Sequence, residues 1–207
     1  MVISLLKVLN LYAGIGGNRK LWKNVEVTAI ESNYDIAQLY KNLFPDDMVL
    51  CEDAHQYLLG HYEEFDFIWS SPPCPTHSRI NTDGQRPMRY PDMTLYQEII
   101  ALGNNWFKGK WVVENVIPYY KPLVPPTVEL SRHYIWSNFY IPKRDFISGG
   151  SIQNQNARER FGFNLEGNRI SGKRQILRNL VDPEMGLYIL NKALDIPQEM
   201  QGRLELQ

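Results

Sequence analysis

Five short apolar runs, each closed by a glycine turn or a polar side chain, constrain this chain more than any other feature. KVLNLY (7–12) runs into AGIGG, VEVTAIE (25–31) ends on Glu31, and MVLCED leads to Asp53. FDFIWSS delivers the proline-flanked Cys74, and KWVVENV carries Glu114. Near-continuous runs of this length suit strands buried on both faces. Helical spacing fills the gaps. In NYDIAQLYKNLF, Ile36, Leu39, Tyr40 and Leu43 share one face, and Pro45 stops the helix. From Asp92 to Phe107 the positions Tyr96, Ile99, Ile100, Gly103 and Phe107 keep a helical period. RHYIWSNFYI reads as a further strand. Asp182 and Pro183 start a last helix with Met185, Tyr188, Ile189 and Leu190 on its apolar side. The alternation predicts an α/β fold: a mostly parallel sheet with helices on both faces, its ligands beyond the carboxyl ends of the strands. Every chemically interesting residue falls at that edge.

At 207 residues the chain can bury one substantial core. Hydrophobic residues at 43% and charged residues at 22% are ordinary for a soluble globular protein and argue against a disordered or membrane protein. The early apolar stretch VISLL is broken by Lys7 and Asn10, so it reads as neither a secretion signal nor a membrane span, and a cytoplasmic location is expected. Two cysteines build no disulfide framework, and Cys51 and Cys74 lack zinc spacing, so no metal is expected. The net charge of −1 hides an asymmetry. Between Ile141 and Arg178 eight basic residues face three acidic ones. A solvated face and a polyanion contact both account for that excess. Residues 142–178 are also rich in Gly, Asn and Gln with little periodicity. The division expected is a main domain at 1–141, an irregular basic insert at 142–178, and a C-terminal segment at 179–207 that returns to the main domain.

Gly14, Gly16 and Gly17 allow a turn closed to other residues and a close approach of a ligand to the backbone, although a tight turn alone would use them too. Their spacing is neither the full dinucleotide fingerprint nor a phosphate loop with its Lys and Ser/Thr. Glu31 can accept two hydrogen bonds from vicinal ribose hydroxyls, and Asp53 one from an adenine amino group. An adenosine-bearing cofactor fits both. With no means of binding a pyrophosphate, S-adenosylmethionine is preferred to NAD.

Pro72, Pro73 and Pro75 withhold backbone donors, so the chain around Cys74 must leave the sheet. That loop holds the thiol at the ligand edge, where a thiolate can act as a covalent nucleophile. Cys51 is read as a small buried hydrophobe; His77 could lower the pKa of Cys74 or be a surface histidine, and no catalytic role is assigned to it. Glu114 follows the buried run WVV, so its carboxyl emerges at the same edge, where desolvation would let it hold a proton near neutral pH.

In this order the segments resemble the motifs of the cytosine carbon-5 methyltransferases. LYAGIGG is similar to that family's first motif, AIESN to its second, CEDAH to its third, SSPPCPTHS to its Pro-Cys motif and VVENV to its Glu-Asn-Val motif. The resemblance covers roughly residues 7 to 140 and implies a Rossmann-like S-adenosylmethionine-dependent methyltransferase fold. It places Tyr12, Ala13, Gly14, Ile15, Gly16, Gly17, Glu31, Ser32 and Asp53 around the cofactor, with Ser71 and Pro73 of the Pro-Cys motif. Cys74 would add to carbon 6 of cytosine while Glu114 contacts ring nitrogen 3; carbon 5 then takes the methyl group, and loss of its proton expels Cys74. A duplex must first flip the base out, at a cost of about a few kcal/mol. The stretch THSRINTDGQRPMRYPD, with Arg79, Arg86 and Arg89, suits a loop that closes over the extruded base.

The departures are equally specific. Asn10 stands where the family commonly has Asp, and Pro75 where it commonly has Gln. The Gln-x-Arg-x-Arg motif is absent as written; of Glu129, Arg132 and His133 in VELSRHYIW, Arg132 is expected to orient the base. RNLVDPEMG resembles a degenerate last motif in which Arg178 replaces a glycine and Asn179 is kept at the cofactor pocket. The region left for target recognition is short, and compact chains of this kind are similar to methyltransferases carried by bacterial viruses, where restriction-modification is one setting. The expectation is methylation of cytosine carbon 5 in double-stranded DNA, with no membrane partner. The alternatives are an enzyme for RNA (tRNA) cytosine, an exocyclic amino methyltransferase, which needs no thiol, and a binding module that needs a partner subunit for recognition.

Overall fold

The computed structural model describes residues 5–82, 87–146, 161–163, 165 and 172–195. Its centre is a seven-stranded sheet in the order β3-β2-β1-β4-β5-β7-β6. Strands β1 (Leu6–Leu11), β2 (Val25–Ile30), β3 (Met48–Leu50), β4 (Phe67–Ser70) and β5 (Lys110–Val116) run parallel. β7 (His133–Ser137) lies antiparallel between β5 and β6 (Val128–Leu130). The strand order reverses beside β1 and β4, which opens a crevice at their carboxyl ends.

Pleating explains why the central strands are apolar on both faces along most of their length. Val8, Phe67, Trp69 and Val112 enter one core with Trp22, Ile135 and Ile189, whereas Leu9, Leu11, Ile68, Trp111 and Val113 enter another with Leu58, Ile99 and Trp136. Successive side chains thus feed opposite faces, and both faces are covered. Buried on the first face, Asn10 exchanges amide hydrogen bonds with Asn18, whose Nδ2 donates to Asn10 Oδ1 at 2.8 Å. An Asp at position 10 could accept but not donate, so the departure from the family pattern is matched by Asn18.

Helix α1 (Tyr34–Leu43) follows the expected face, with Leu39 and Tyr40 buried and Asn33 capping its start. Helix α2 (Ala54–His61) is not foreseen by periodicity, because it buries only Ala54 and Leu58. It starts at Asp53, whose side chain accepts from Gln56 N at 2.9 Å. Helix α3 (Thr94–Gly103) buries Tyr96 and Ile99, but Ile100 faces outward at 55% exposure. Helix α4 (Lys173–Arg178) gives the end of the insert 142–178 regular structure that its composition does not announce. Helix α5 (Pro183–Ala193) starts at Asp182 and buries Met185, Tyr188, Ile189 and Leu190, as the spacing predicts. Ile176 and Leu177 of α4 pack with Phe161, Phe163 and Leu165 against Ile15 and Leu39, so this part of the insert covers the glycine turn. Arg86, Arg158, Arg160 and Arg169 lie outside the described residues. The segment 117–127 joins β5 to β6 without a helix, consistent with the four prolines it carries. Among the described residues no helix is long and apolar enough to cross a membrane.

Candidate active site

A cavity of about 320 Å³ opens at the carboxyl ends of β1, β2, β4 and β5. At its floor the chain leaves β1 through Tyr12, which holds a left-handed backbone (φ 54°) unusual for a residue with a side chain. Its hydroxyl donates to Oε1 of buried Glu98 at 2.6 Å, and burial and Glu98 together raise its pKa above the ordinary value. Gly14 follows at φ 55°, and a Cβ there would meet no atom within 4 Å. At Gly17 it would lie 2.6 Å from the Val181 carbonyl oxygen, so the turn packs directly on the segment after α4. Glu31, the residue after β2, accepts from Gly14 N at 3.0 Å and Asn33 N at 2.8 Å, which fixes its carboxylate at the rim.

On the opposite wall, the proline loop is tied down by a side chain because it cannot pair with the sheet. Buried Asn115 of β5 donates from Nδ2 to the Pro72 carbonyl at 2.9 Å and accepts from Val116 N. Cys74 and Glu114 line the cavity together. Burial, and secondarily the Glu114 carboxylate, push the Cys74 thiol up to about 11. The resting thiol is therefore protonated. Glu114 is 5% exposed, and its Oε1 lies 3.5 Å from His133 Nε2. The other ring nitrogen of His133 is buried without a partner.

Of the residues singled out in the sequence, Tyr12, Ala13, Gly14, Ile15, Gly17, Glu31, Ser32, Ser71, Pro73, Cys74, Glu114 and Asn179 all line this cavity. Three do not. Gly16 turns toward α1, where a Cβ would meet the Phe44 ring at 2.4 Å. Asp53 is an exposed helix cap. Arg132 sits exposed at the turn between β6 and β7, and its neighbour His133 takes the place beside Glu114. Two further readings are corrected. Cys51 is exposed, because β3 is an edge strand that ends one residue earlier. His77 is fully buried, with Nδ1 in a hydrogen bond to the Tyr120 hydroxyl, because the chain folds back over it. Asn115 and His133 are the contributors that spacing alone misses. A proline loop without donors beside an Asn is the signal for the first; the second depends on strand register.

The sheet order, with its reversed β7, and a glycine turn facing a carboxylate define a Rossmann-like fold of the methyltransferase type. A methyltransferase of Entamoeba histolytica has the same fold, at a TM-score of 0.52 and 11% identity over 93% of this chain and 99% of that one. The family model for C-5 cytosine-specific DNA methylases matches residues 6–117, just over half of the chain, and the protein belongs to that family. Among curated proteins, the human tRNA (cytosine(38)-C(5))-methyltransferase is 33% identical over 86 residues, 38% of this chain and 22% of that protein. The rat enzyme of the same name is 31% identical over 98 residues, 44% and 25% of the two chains. The matched region thus spans about a quarter of these relatives. S-adenosylmethionine is the cofactor. The cavity fits it: Gly14 leaves open space, and Glu31 offers a fixed carboxylate for hydroxyl donors.

Proposed function

We propose that this chain methylates carbon 5 of cytosine in DNA. The reading is carried by one observation: Cys74 and Glu114, forty positions apart, share a cavity with the glycine turn and Glu31. When bound, S-adenosylmethionine supplies an electrophilic methyl group, held by the turn from Tyr12 to Gly17 and by Glu31. The rest of the chemistry belongs to side chains. Cys74 Sγ adds to carbon 6 of the flipped base and gives carbon 5 enamine character. The Cys74 proton passes to the Glu114 carboxylate, which shares it with ring nitrogen 3 and so stabilises the adduct; after methyl transfer, loss of the carbon-5 proton to solvent expels Cys74. The same proton cancels the carboxylate charge that opposes ionisation of Cys74 at rest. The nucleophile is thereby armed when the base arrives. His133 orients the Glu114 carboxyl from β7.

DNA as the substrate is supported by the description of the family and by the basic composition of 142–178. The curated relatives, named as tRNA enzymes, favour a second reading in which the cytosine belongs to a tRNA. Bisulfite sequencing of DNA and of tRNA from a host expressing the chain separates the two. Methylated cytosine in a fixed short DNA context is expected, and it disappears with Cys74→Ser. Modified tRNA with unmodified DNA selects the second reading; activity that survives Cys74→Ser refutes both.

A further inference from the structure

A second cavity, of about 520 Å³, lies outside the one described and shares no lining residue with it. Its walls are Arg79 and Thr82 on one side and Tyr119, Tyr120, Lys121 and Tyr134 on the other, and no carboxylate is among its lining residues. Both walls begin at the reactive residues. Arg79 follows Cys74 by five positions, a reach of at most about 18 Å, and the segment from Ile117 starts directly after β5, which carries Glu114. The two walls are also fastened together. His77 N and Ser78 N donate to the Cys74 carbonyl, Tyr119 N donates to the His77 carbonyl at 3.2 Å, and Ser78 bridges to Pro118. Beneath them the Tyr120 hydroxyl meets buried His77 and Tyr96. The groove therefore holds a set position relative to the thiol.

Its chemistry is specific. Tyr119 is 38% exposed, and its ring stands at 85° to that of Tyr120 with centroids 5.1 Å apart, so a flat ring lying on one meets the edge of the other. Two cations flank these rings. Aromatic rings beside Lys and Arg hold unpaired nucleotides, by base stacking and phosphate pairing. The volume is enough for one small ligand.

We propose that this groove binds an unpaired nucleotide of the substrate strand next to the target cytosine, stacking its base on Tyr119 and pairing its phosphate with Arg79 and Lys121. The proposal rests on the reading of Cys74 and Glu114 as acting on a base within a strand. It implies that the enzyme favours cytosines whose neighbour is unpaired.

Fluorescence anisotropy with S-adenosylhomocysteine present tests it without turnover. The probes are a labelled single-stranded DNA 12-mer with one cytosine, the RNA of the same sequence, a full duplex, and a duplex with one unpaired nucleotide beside the cytosine. The unpaired-neighbour duplex is expected to bind at least about fivefold tighter than the full duplex. Tyr119→Ala and, separately, Lys121→Ala are expected to cost about tenfold in affinity for the preferred single strand, and Tyr119→Trp to restore it. The tighter of the DNA and RNA strands identifies the occupant. Equal binding of the two duplexes, or unchanged affinity in both Ala variants with folding verified by thermal unfolding, overturns the proposal. If the wild type methylates no cytosine while the Ala variants still lose binding, the catalytic reading has failed and the groove stands.

Discussion

The Cys74 thiol carries the sharpest quantitative consequence of this geometry. Burial and Glu114 move it from an ordinary 9.0 to about 11. At pH 8 an ordinary thiol is about one-tenth thiolate, whereas one titrating at about 11 is about one-thousandth, a hundredfold deficit in the reactive form. Alkylation by iodoacetamide, followed by peptide mass spectrometry, reads this directly, with exposed Cys51 as the fast internal reference. The Cys74 rate is expected to rise about tenfold per pH unit from pH 8 to 10 and to bend only near 11. Partial burial slows the reagent at every pH and leaves the bend in place, so access and ionisation separate. Glu114→Gln removes the carboxylate but not the burial, which is the larger cause. The variant is therefore expected to alkylate Cys74 about three to ten times faster at pH 8 while losing methyl transfer, the bend staying above 9. A wild-type bend at or below 9, or a Glu114→Gln bend that does not move, refutes the coupling of the two groups.

Two glycines of one turn are expected to fail differently. Gly17→Ala drives a Cβ to 2.6 Å from the Val181 carbonyl and should cost about 1–3 kcal/mol in urea denaturation, whereas Gly14→Ala meets open space but must hold φ 55°, so it should cost only about 1 kcal/mol of stability while also weakening S-adenosylmethionine binding by calorimetry. Asn115→Ala strands the Pro72 carbonyl and should cost about 1–3 kcal/mol by the same denaturation assay; unchanged stability would mean that the loop holds itself. Asn10→Asp puts a carboxyl where nothing is exposed and no cation is bonded. Burial raises such a pKa in the folded state, so its stability deficit against wild type should grow from pH 5 to pH 8, and a deficit that shrinks over that range would contradict the burial.

The strands that bury both faces were the most legible elements, because every residue of FIW or WVV must be apolar when successive side chains enter two cores. The edge where they end was legible for the same reason, and with it the meeting of Gly14, Glu31, Cys74 and Glu114. What stayed hidden depends on pairing rather than period. Helix α2 buries two side chains and β6 has three residues, too few to write a pattern. The placement of Arg132 and His133 turns on register. β7 runs antiparallel to β5 with Val116 opposite His133, so His133 shares the pleat face of Glu114 and lies diagonal to it, while Arg132 falls in the hairpin turn. A one-residue slip would exchange the outcome, and no composition of VELSRHYIW fixes that slip.

The arrangement of three titratable groups also accounts for the choice of a resting state. In the proposed reaction a thiol beside a carboxylate ionises only when its proton has somewhere to go, and the substrate supplies that place: nitrogen 3 shares, through Glu114, the proton that Cys74 gives up. A thiolate formed in advance would meet oxidants and stray electrophiles as readily as cytosine. On that reading, placing Glu114 next to Cys74 makes ionisation conditional on occupancy, with His133 Nε2 3.5 Å from the carboxyl. A lysine at position 114 would arm the thiol permanently, yet it could not share a proton with the ring in the same way. The pairing of a raised thiol with a carboxylate is therefore a gate on reactivity as much as an aid to addition, and the alkylation profile of Glu114→Gln is where the two roles come apart.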